Sequence, residues 1–202
     1  GRFDATLCLF VNGAGSTPWA FHVPAAASSA RLVVRGIMFA GFDDAAIKLE
    51  GGDNHLITGN QFGAIGFTVP SGSAVRVTGN SGGAQIGGFD DPGSLNLIAG
   101  TSTAGVFLDN AAGGSVLGNN VIGFQVDGSG DGGNPIGVYM FNSPNNVLMY
   151  NYIGHSTGNG VVISGAPSTG TVVQYNVIGH GVIGTLATNG GAGVLMMFGA
   201  RN

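Results

Sequence analysis

Short apolar runs along this chain alternate with glycine- and asparagine-rich breaks, and one arrangement of them recurs. Two or three branched apolar residues are followed by two small or polar ones, an Asn, and often Val-Ile-Gly or Tyr-Ile-Gly. The motif is first clear at Leu56-Ile57-Thr58-Gly59-Asn60-Gln61-Phe62-Gly63 and returns, shortened, at Val77-Thr78-Gly79-Asn80. It comes back as Val116-Leu117-Gly118-Asn119-Asn120-Val121-Ile122-Gly123, then at 147–154 around Asn151 and at 172–179 around Asn176. Ile37 and Thr101 fill the Asn slot in degenerate copies, and Asn12 marks an earlier one. The anchors fall at positions 12, 37, 60, 80, 101, 120, 151 and 176, an uneven spacing of roughly 20 to 30 residues that lies in the range of solenoid repeats.

A second series, a small residue followed by an apolar strand, keeps the same phase and precedes the anchors by more than half a coil. Its members are Ala46-Ile47-Lys48-Leu49, Gly66-Phe67-Thr68-Val69, Gln85-Ile86, Gly105-Val106-Phe107-Leu108, Gly137-Val138-Tyr139-Met140, Gly160-Val161-Val162-Ile163 and Gly193-Val194-Leu195-Met196. Short strands in a period near 20 residues, with glycine turns and no helical pattern between them, predict an all-β solenoid: a right-handed parallel β-helix of about eight coils. One coil cannot bury its own inward Val, Ile, Leu and Phe, whereas stacked coils make a continuous core. The recurring Asn suits the turns, because Asn tolerates left-handed backbone. In successive coils its amide can also bond to the Asn above and below, so Asn60, Asn80, Asn120, Asn151 and Asn176 are expected to form a ladder.

Residues 1–202 read as one domain, with 1–30 an irregular first coil or partial cap and 31–202 the regular coils. The anchor due after Val194–Phe198 would fall beyond Asn202, so the C-terminal end reads as uncapped. The expectation is a segment of a longer protein or a unit that stacks end to end.

The Gly-Asn-x-Ile-Gly cadence from about Arg31 onward resembles the right-handed β-helix repeat proteins of the pectate-lyase-like superfamily, in particular bacterial surface and secreted proteins with such repeats. The resemblance implies the fold and an extracellular or cell-surface location. It does not select an activity, since that superfamily holds lyases, glycosidases, epimerases, adhesins and stalks.

Composition narrows the function. Glycine takes 40 of 202 positions, against a usual ~7%, and 44% of residues are hydrophobic, so the glycines serve turns in an ordered fold. Charged residues are only 8%, with 6 basic and 10 acidic. No basic stripe is present for nucleic acid, and no apolar run is long enough for membrane insertion. The single cysteine, Cys8, reads as a buried thiol in Leu7-Cys8-Leu9-Phe10-Val11.

Candidate chemistry gathers where coils lengthen. One insertion follows Gly123 and runs from Phe124 to Pro135; another follows Gly179 and runs from His180 to Gly191, with a short coil between them. Two long loops flanking a short coil predict a side groove, and loops on a rigid scaffold are where binding residues gather. His155 and His180 each follow an Ile-Gly and are expected to stack in adjacent coils. With Asp127 or Asp131 they would bind a divalent metal, or hold an acidic sugar through a titrating imidazole; the alternative is two polar turn residues. Asp127-Gly-Ser-Gly-Asp131 has the flavour of a calcium loop, which makes calcium the cofactor to consider. Tyr152 joins His155, His180 and Asp127 in the expected binding set.

A second cluster is Asp43-Asp44, Lys48, Glu50, Asp53 and His55, in which Lys48 and Glu50 alternate with inward Ile47 and Leu49 and so point outward. Paired carboxylates suit glycoside hydrolysis. Asp43-Asp44 and Gly179-His180-Gly181 resemble parts of polygalacturonase motifs. Several coils separate Asp44 from His180, however, and the companion Asn-Thr-Asp and Arg-Ile-Lys motifs are absent.

The leading expectation is therefore a non-enzymatic surface stalk, adhesin or polysaccharide-binding module, with a cell-surface glycan or identical subunits as partners. The alternatives are a polysaccharide lyase or glycoside hydrolase working near His155 and His180, and a self-assembling fibre subunit. Exposed Tyr139, Tyr150, Tyr152 or Tyr175 would favour carbohydrate binding.

Overall fold

The computed structural model describes residues 9–63, 71–89, 91–125, 133–181 and 186–201. Cys8, the expected strand Gly66-Phe67-Thr68-Val69, Asp127 and Asp131 lie outside them. Among the described residues twenty strands form three sheets, every pairing between them is parallel, and the chain visits the sheets in strict rotation. Sheet 1 holds Leu9–Thr17, Ile37–Phe42, Gln61–Phe62, Leu97–Ile98, Val121–Ile122, Tyr152–Ile153 and Val177–Ile178. Sheet 2 holds Phe21–Val23, Ala45–Leu49, Ser71–Thr78, Thr101–Asp109, Val138–Phe141, Val161–Ser164 and Val194–Met197. Sheet 3 holds Val33–Arg35, Leu56–Thr58, Gln85–Ile86, Val116–Gly118, Val147–Met149 and Val172–Gln174. This is a parallel β-solenoid. Its seven-, seven- and six-stranded sheets make fewer coils than the eight counted from the spacing.

Columns of identical or similar apolar residues explain why the coils stack. Sheet 3 sends Ile57, Ile86, Leu117 and Leu148 inward, sheet 1 sends Phe39, Phe62, Ile98, Ile122 and Ile153, and sheet 2 sends Ile47, Val75, Val106, Val138 and Val161. All are buried. Phe39 and Phe62 stack face to face at 5.1 Å. On the last sheet-2 strand, Val194 and Met196 pair with buried Val161 and Ile163 yet are exposed, because no coil among the described residues covers them.

Each recurring motif turns out to span two strands and the corner between them, as in Leu56–Thr58, then Asn60, then Gln61–Phe62. At that corner runs the asparagine ladder. Along Asn60, Asn96, Asn120, Asn151 and Asn176, each of the first four passes an amide hydrogen bond to the next, at 3.2, 2.9, 2.9 and 2.9 Å. Each amide also donates to a sheet-3 carbonyl of the preceding coil: Val34, Ile57, Ile86, Leu117 and Leu148 respectively. The oxygen is used twice as well, since the backbone N–H of Asn60, Asn120 and Asn151 donates to the next rung. These amides are therefore saturated, and losing one strands its neighbours.

Asn80 is not a rung. It is exposed beyond the end of Ser71–Thr78, between sheets 2 and 3, with its N–H on the Glu50 carbonyl at 3.1 Å. The rung is Asn96, which accepts from the Asn60 N–H. Within that long coil Ser71–Thr78 is the sheet-2 strand and Gln85–Ile86 the sheet-3 strand, so the spacing shifted both by one sheet. Thr101 likewise opens a sheet-2 strand. Ile37 does fill the Asn slot, its N–H donating to Asn60 Oδ1 at 3.1 Å, but Asn12 pairs with Ala40 and bonds locally to Ala14. Within the expected irregular first coil, Leu9–Thr17 pairs with Ile37–Phe42 with a register shift between Asn12 and Thr17, and Phe21–Val23 pairs with Ile47, Lys48 and Leu49.

Candidate functional site

Except at Leu95, which is extended before Asn96, the residue before each ladder position turns the corner with left-handed backbone. Gly36 (φ 72°), Gly59 (φ 65°) and Asn119 (φ 56°) do this in the earlier coils. These residue types accept that region readily. In the last two coils the slot holds Tyr150 (φ 57°) and Tyr175 (φ 55°). A bulky aromatic residue there is strained, at about 1–3 kcal/mol, and such strain persists only where the surroundings impose it.

The two tyrosines sit one above the other, because their flanking strands pair as Met149 with Gln174 and Tyr152 with Val177. Their rings stack at 5.1 Å with 12° between planes. Phe89 extends the group, its ring meeting Tyr150 edge-on at 5.9 Å and 76°. Phe89 reaches this place because Gly118 has no side chain; a Cβ there would collide with the Phe89 ring. The amide of Asn119 pins the same excursion by donating to the Gly88 carbonyl at 2.9 Å. Phe89, Tyr150 and Tyr175 are 47, 48 and 69% exposed. Three large rings thus form an exposed row on the corner between sheets 3 and 1. Sequence reasoning missed Phe89. The signal that would have found the slot is local: the residue before a ladder Asn is Gly or Asn in the earlier motif copies and Tyr in the last two.

The outer face of sheet 2 carries the second concentration of chemistry. Paired residues build one column, His22, Lys48, Arg76, Phe107 and Tyr139. Asp44 accepts from Lys48 at 3.0 Å and from Arg76 at 2.6 Å, and Arg76 also reaches Asp109. Glu50 joins Lys48 at 3.0 Å and His22 at 2.9 Å. Lys48 stands over the Trp19 ring at 5.2 Å and Arg76 over Phe107 at 5.3 Å, while Phe107 and Tyr139 stack at 4.8 Å. Burial alone would raise the Asp44 carboxyl, but the hydrogen bonds and charges of Lys48 and Arg76 outweigh it and hold Asp44 below its ordinary value. The hydrogen bonds from His22 and Lys48 hold Glu50 low too. Burial would lower Lys48 and Arg76, yet their carboxylate partners keep both raised. The network is a set of ion pairs across four coils, in which Arg76 Nη1 and Nη2 are paired and its buried Nε has no hydrogen-bond partner. Asp53 is exposed, and His55 is a buried structural residue, accepting from the Leu32 N–H at 3.0 Å through Nδ1 and bonding the Gly51 carbonyl through Nε2.

Around the insertions the geometry differs from the expected histidine stack. At the second insertion His180 and Leu186 form an antiparallel bridge, and Ala187 rejoins the coil, its N–H donating to the Gly179 carbonyl at 3.3 Å. It is the Ala187 carbonyl that takes the N–H of His155, at 3.1 Å. The His155 ring lies edge-on to buried Phe124 at 5.0 Å, whereas His180 is exposed and bonds locally to the Gly181 carbonyl at 3.4 Å. Tyr152 packs beside Leu97, Phe124 and Ala187 in a small cluster outside sheet 1. Among the described residues no group of three or more His, Cys, Asp or Glu side chains is placed to hold a metal ion. No helix among them is long and apolar enough to cross a membrane.

Fold and site together define a parallel β-solenoid with an exposed aromatic corner. No family model matches the chain, and neither does any curated protein or solved structure.

Proposed function

We propose that this chain is a non-catalytic glycan-binding module, a right-handed β-helix of the pectate-lyase-like kind that works outside the cell or on its surface. The observation that carries the reading is the exposed row Phe89, Tyr150 and Tyr175, with two of its rings held in strained backbone. Tyrosine offers a large, rigid, amphipathic contact area at low entropic cost, and aromatic anchors dominate binding energy where they are found. Sugar rings carry apolar C–H faces that pack on aromatic rings and hydroxyls that meet amide and phenol groups. The right hand follows from the general rule for parallel crossovers within one sheet, which are almost always right-handed.

A catalytic reading finds less support. Hydrolysis of a glycoside requires one carboxylic acid kept protonated at a raised pKa. The two carboxylates that share Lys48, Asp44 and Glu50, are both held in the ionised form.

A panel of soluble and insoluble polysaccharides, with binding and new chain ends read in the same samples, tests the proposal. The expected result is binding without new chain ends, weakened about tenfold or more by Tyr150→Ala or Tyr175→Ala, the scale of losing one aromatic anchor. New chain ends that vanish with His155→Ala or Asp44→Asn would replace the proposal with an enzyme. Binding to none of the panel would leave a stalk or fibre subunit.

A further inference from the structure

We infer that the glycan taken by the aromatic corner is uncharged, an inference that rests on the glycan-binding reading above and names its ligand class. The solenoid is divided by charge. Of 6 basic and 10 acidic residues, only Asp127, Asp131 and Arg201 lie beyond Asp109. The polar residues of that half are otherwise Asn, Gln, Ser, Thr, His and Tyr, and both stacked tyrosines belong to it.

An acidic polysaccharide is held in one of two ways: by Arg or Lys paired with its carboxylates, or by calcium bridging them to protein carboxylates. Neither is provided at this corner by the described residues. Lys48 and Arg76 stand on sheet 2 and are already committed to Asp44, Glu50 and Asp109. Arg35 is the base on the corner's own side of sheet 3. It donates to Thr58, and four strand steps separate it from Met149, roughly 19 Å at the parallel-strand spacing and well beyond a Debye length of about 8 Å. The described charge closest in sequence to Phe89 is negative: exposed Asp91, whose carboxylate accepts from the Gly93 N–H. A uronate or sulfate chain laid on these rings would meet Asp91 near Phe89, while exposed Arg201 bridges to Thr169, at the opposite end of Val172–Gln174 from Tyr175.

The groups that are present suit a neutral sugar. Met149 and Gln174 point outward beside the tyrosines, since their neighbours Leu148 and Val173 face the core. Gln174 brings an amide and the tyrosines bring phenol hydroxyls, which donate to and accept from sugar hydroxyls with no ionic component. Binding is therefore carried by ring contact and neutral hydrogen bonds, both of which are nearly indifferent to ionic strength.

The test uses the full chain with neutral chains (β-glucan, xylan, galactomannan) and acidic ones (polygalacturonate, alginate), from low salt to about 0.5 M and with or without a calcium chelator. The expected result is preference for a neutral chain, a dissociation constant that changes less than about twofold across salt and chelator, and a tenfold or greater weakening in Tyr150→Asn and Tyr175→Asn. Asn is chosen because Asn119 already occupies this slot with left-handed backbone, so the variants keep the fold. Preference for an acidic chain, or affinity that falls with salt or chelator, overturns the inference while leaving a glycan-binding protein. Binding of neither kind overturns the glycan reading itself.

Discussion

At the scale of single residues, two kinds of corner position do different work. The ladder asparagines are saturated, and each holds its own coil and the next. Asn96→Ala removes an amide that serves Asn60, Asn120 and the Ile57 carbonyl, so it should cost about 2–4 kcal/mol, as expected when buried partners lose their bonds. Asn80→Ala, at an exposed turn, should change stability by no more than about 0.5 kcal/mol. Urea denaturation of the two variants checks the assignment, and equal losses would contradict it. The residue before each rung has the opposite character. Where its backbone is left-handed, as at every rung but Asn96, it costs strain when it is not Gly or Asn, and in two coils it is Tyr. Exposed rings kept at a strained position are better accounted for by what they contact than by what they stabilise.

At the scale of strands, the sheet-2 ion pairs bind four successive coils across their outer face. Asp44 and Glu50 are held below their ordinary values of 3.8 and 4.5, so their contribution is present above about pH 4.5 and is lost as pH falls through the folded values. Lys48 is raised above 10.5, so its contribution is present below that pH and is lost only beyond it. The thermal midpoint should stay level from about pH 5 to 9 and decline below about pH 4. Arg76→Met should lower the neutral-pH stability by about 1–2 kcal/mol, between the exposed and buried limits for ion pairs, and make the acid decline shallower. A decline equally steep in that variant would show that other carboxylates govern it.

The strands also show why part of the architecture was legible and part was not. Val116–Gly118 and Val121–Ile122 read as one motif because a short corner separates them, and the branched residues on both sides alternate in and out. The coil between Asn60 and Asn96 defeated the spacing because Val77-Thr78-Gly79-Asn80 imitates the motif at the wrong corner. The true rung follows a 3-10 turn at Pro92–Ser94 in place of the usual left-handed residue. The outward position of Lys48 and Glu50 followed from alternation with Ile47 and Leu49. Arg76 and Asp109, which complete the network, lie one and two coils further along the chain, and only coil registration brings them together. Stacking of His155 on His180 failed as an inference because an insertion can begin at the very residue used for alignment, and here the coil resumes at Ala187.

At the scale of the molecule, the solenoid is one apolar column with two different exteriors: a charged, self-paired face in the earlier coils and an aromatic and amide-rich surface in the later ones. Stacking parallel coils makes the second possible, because every corner slot repeats and a side chain placed there acquires a neighbour in the next coil. The measurement that tests this account most directly is the melting temperature and glycan affinity of the Tyr150→Asn, Tyr175→Asn double variant, read side by side. Relief of about 1–3 kcal/mol of strain at each slot against loss of a ring stack worth about 0.5–1.5 kcal/mol predicts a midpoint equal to or above that of the parent protein, together with loss of glycan binding. A lowered midpoint with binding intact would contradict the account and make the tyrosines a structural clasp.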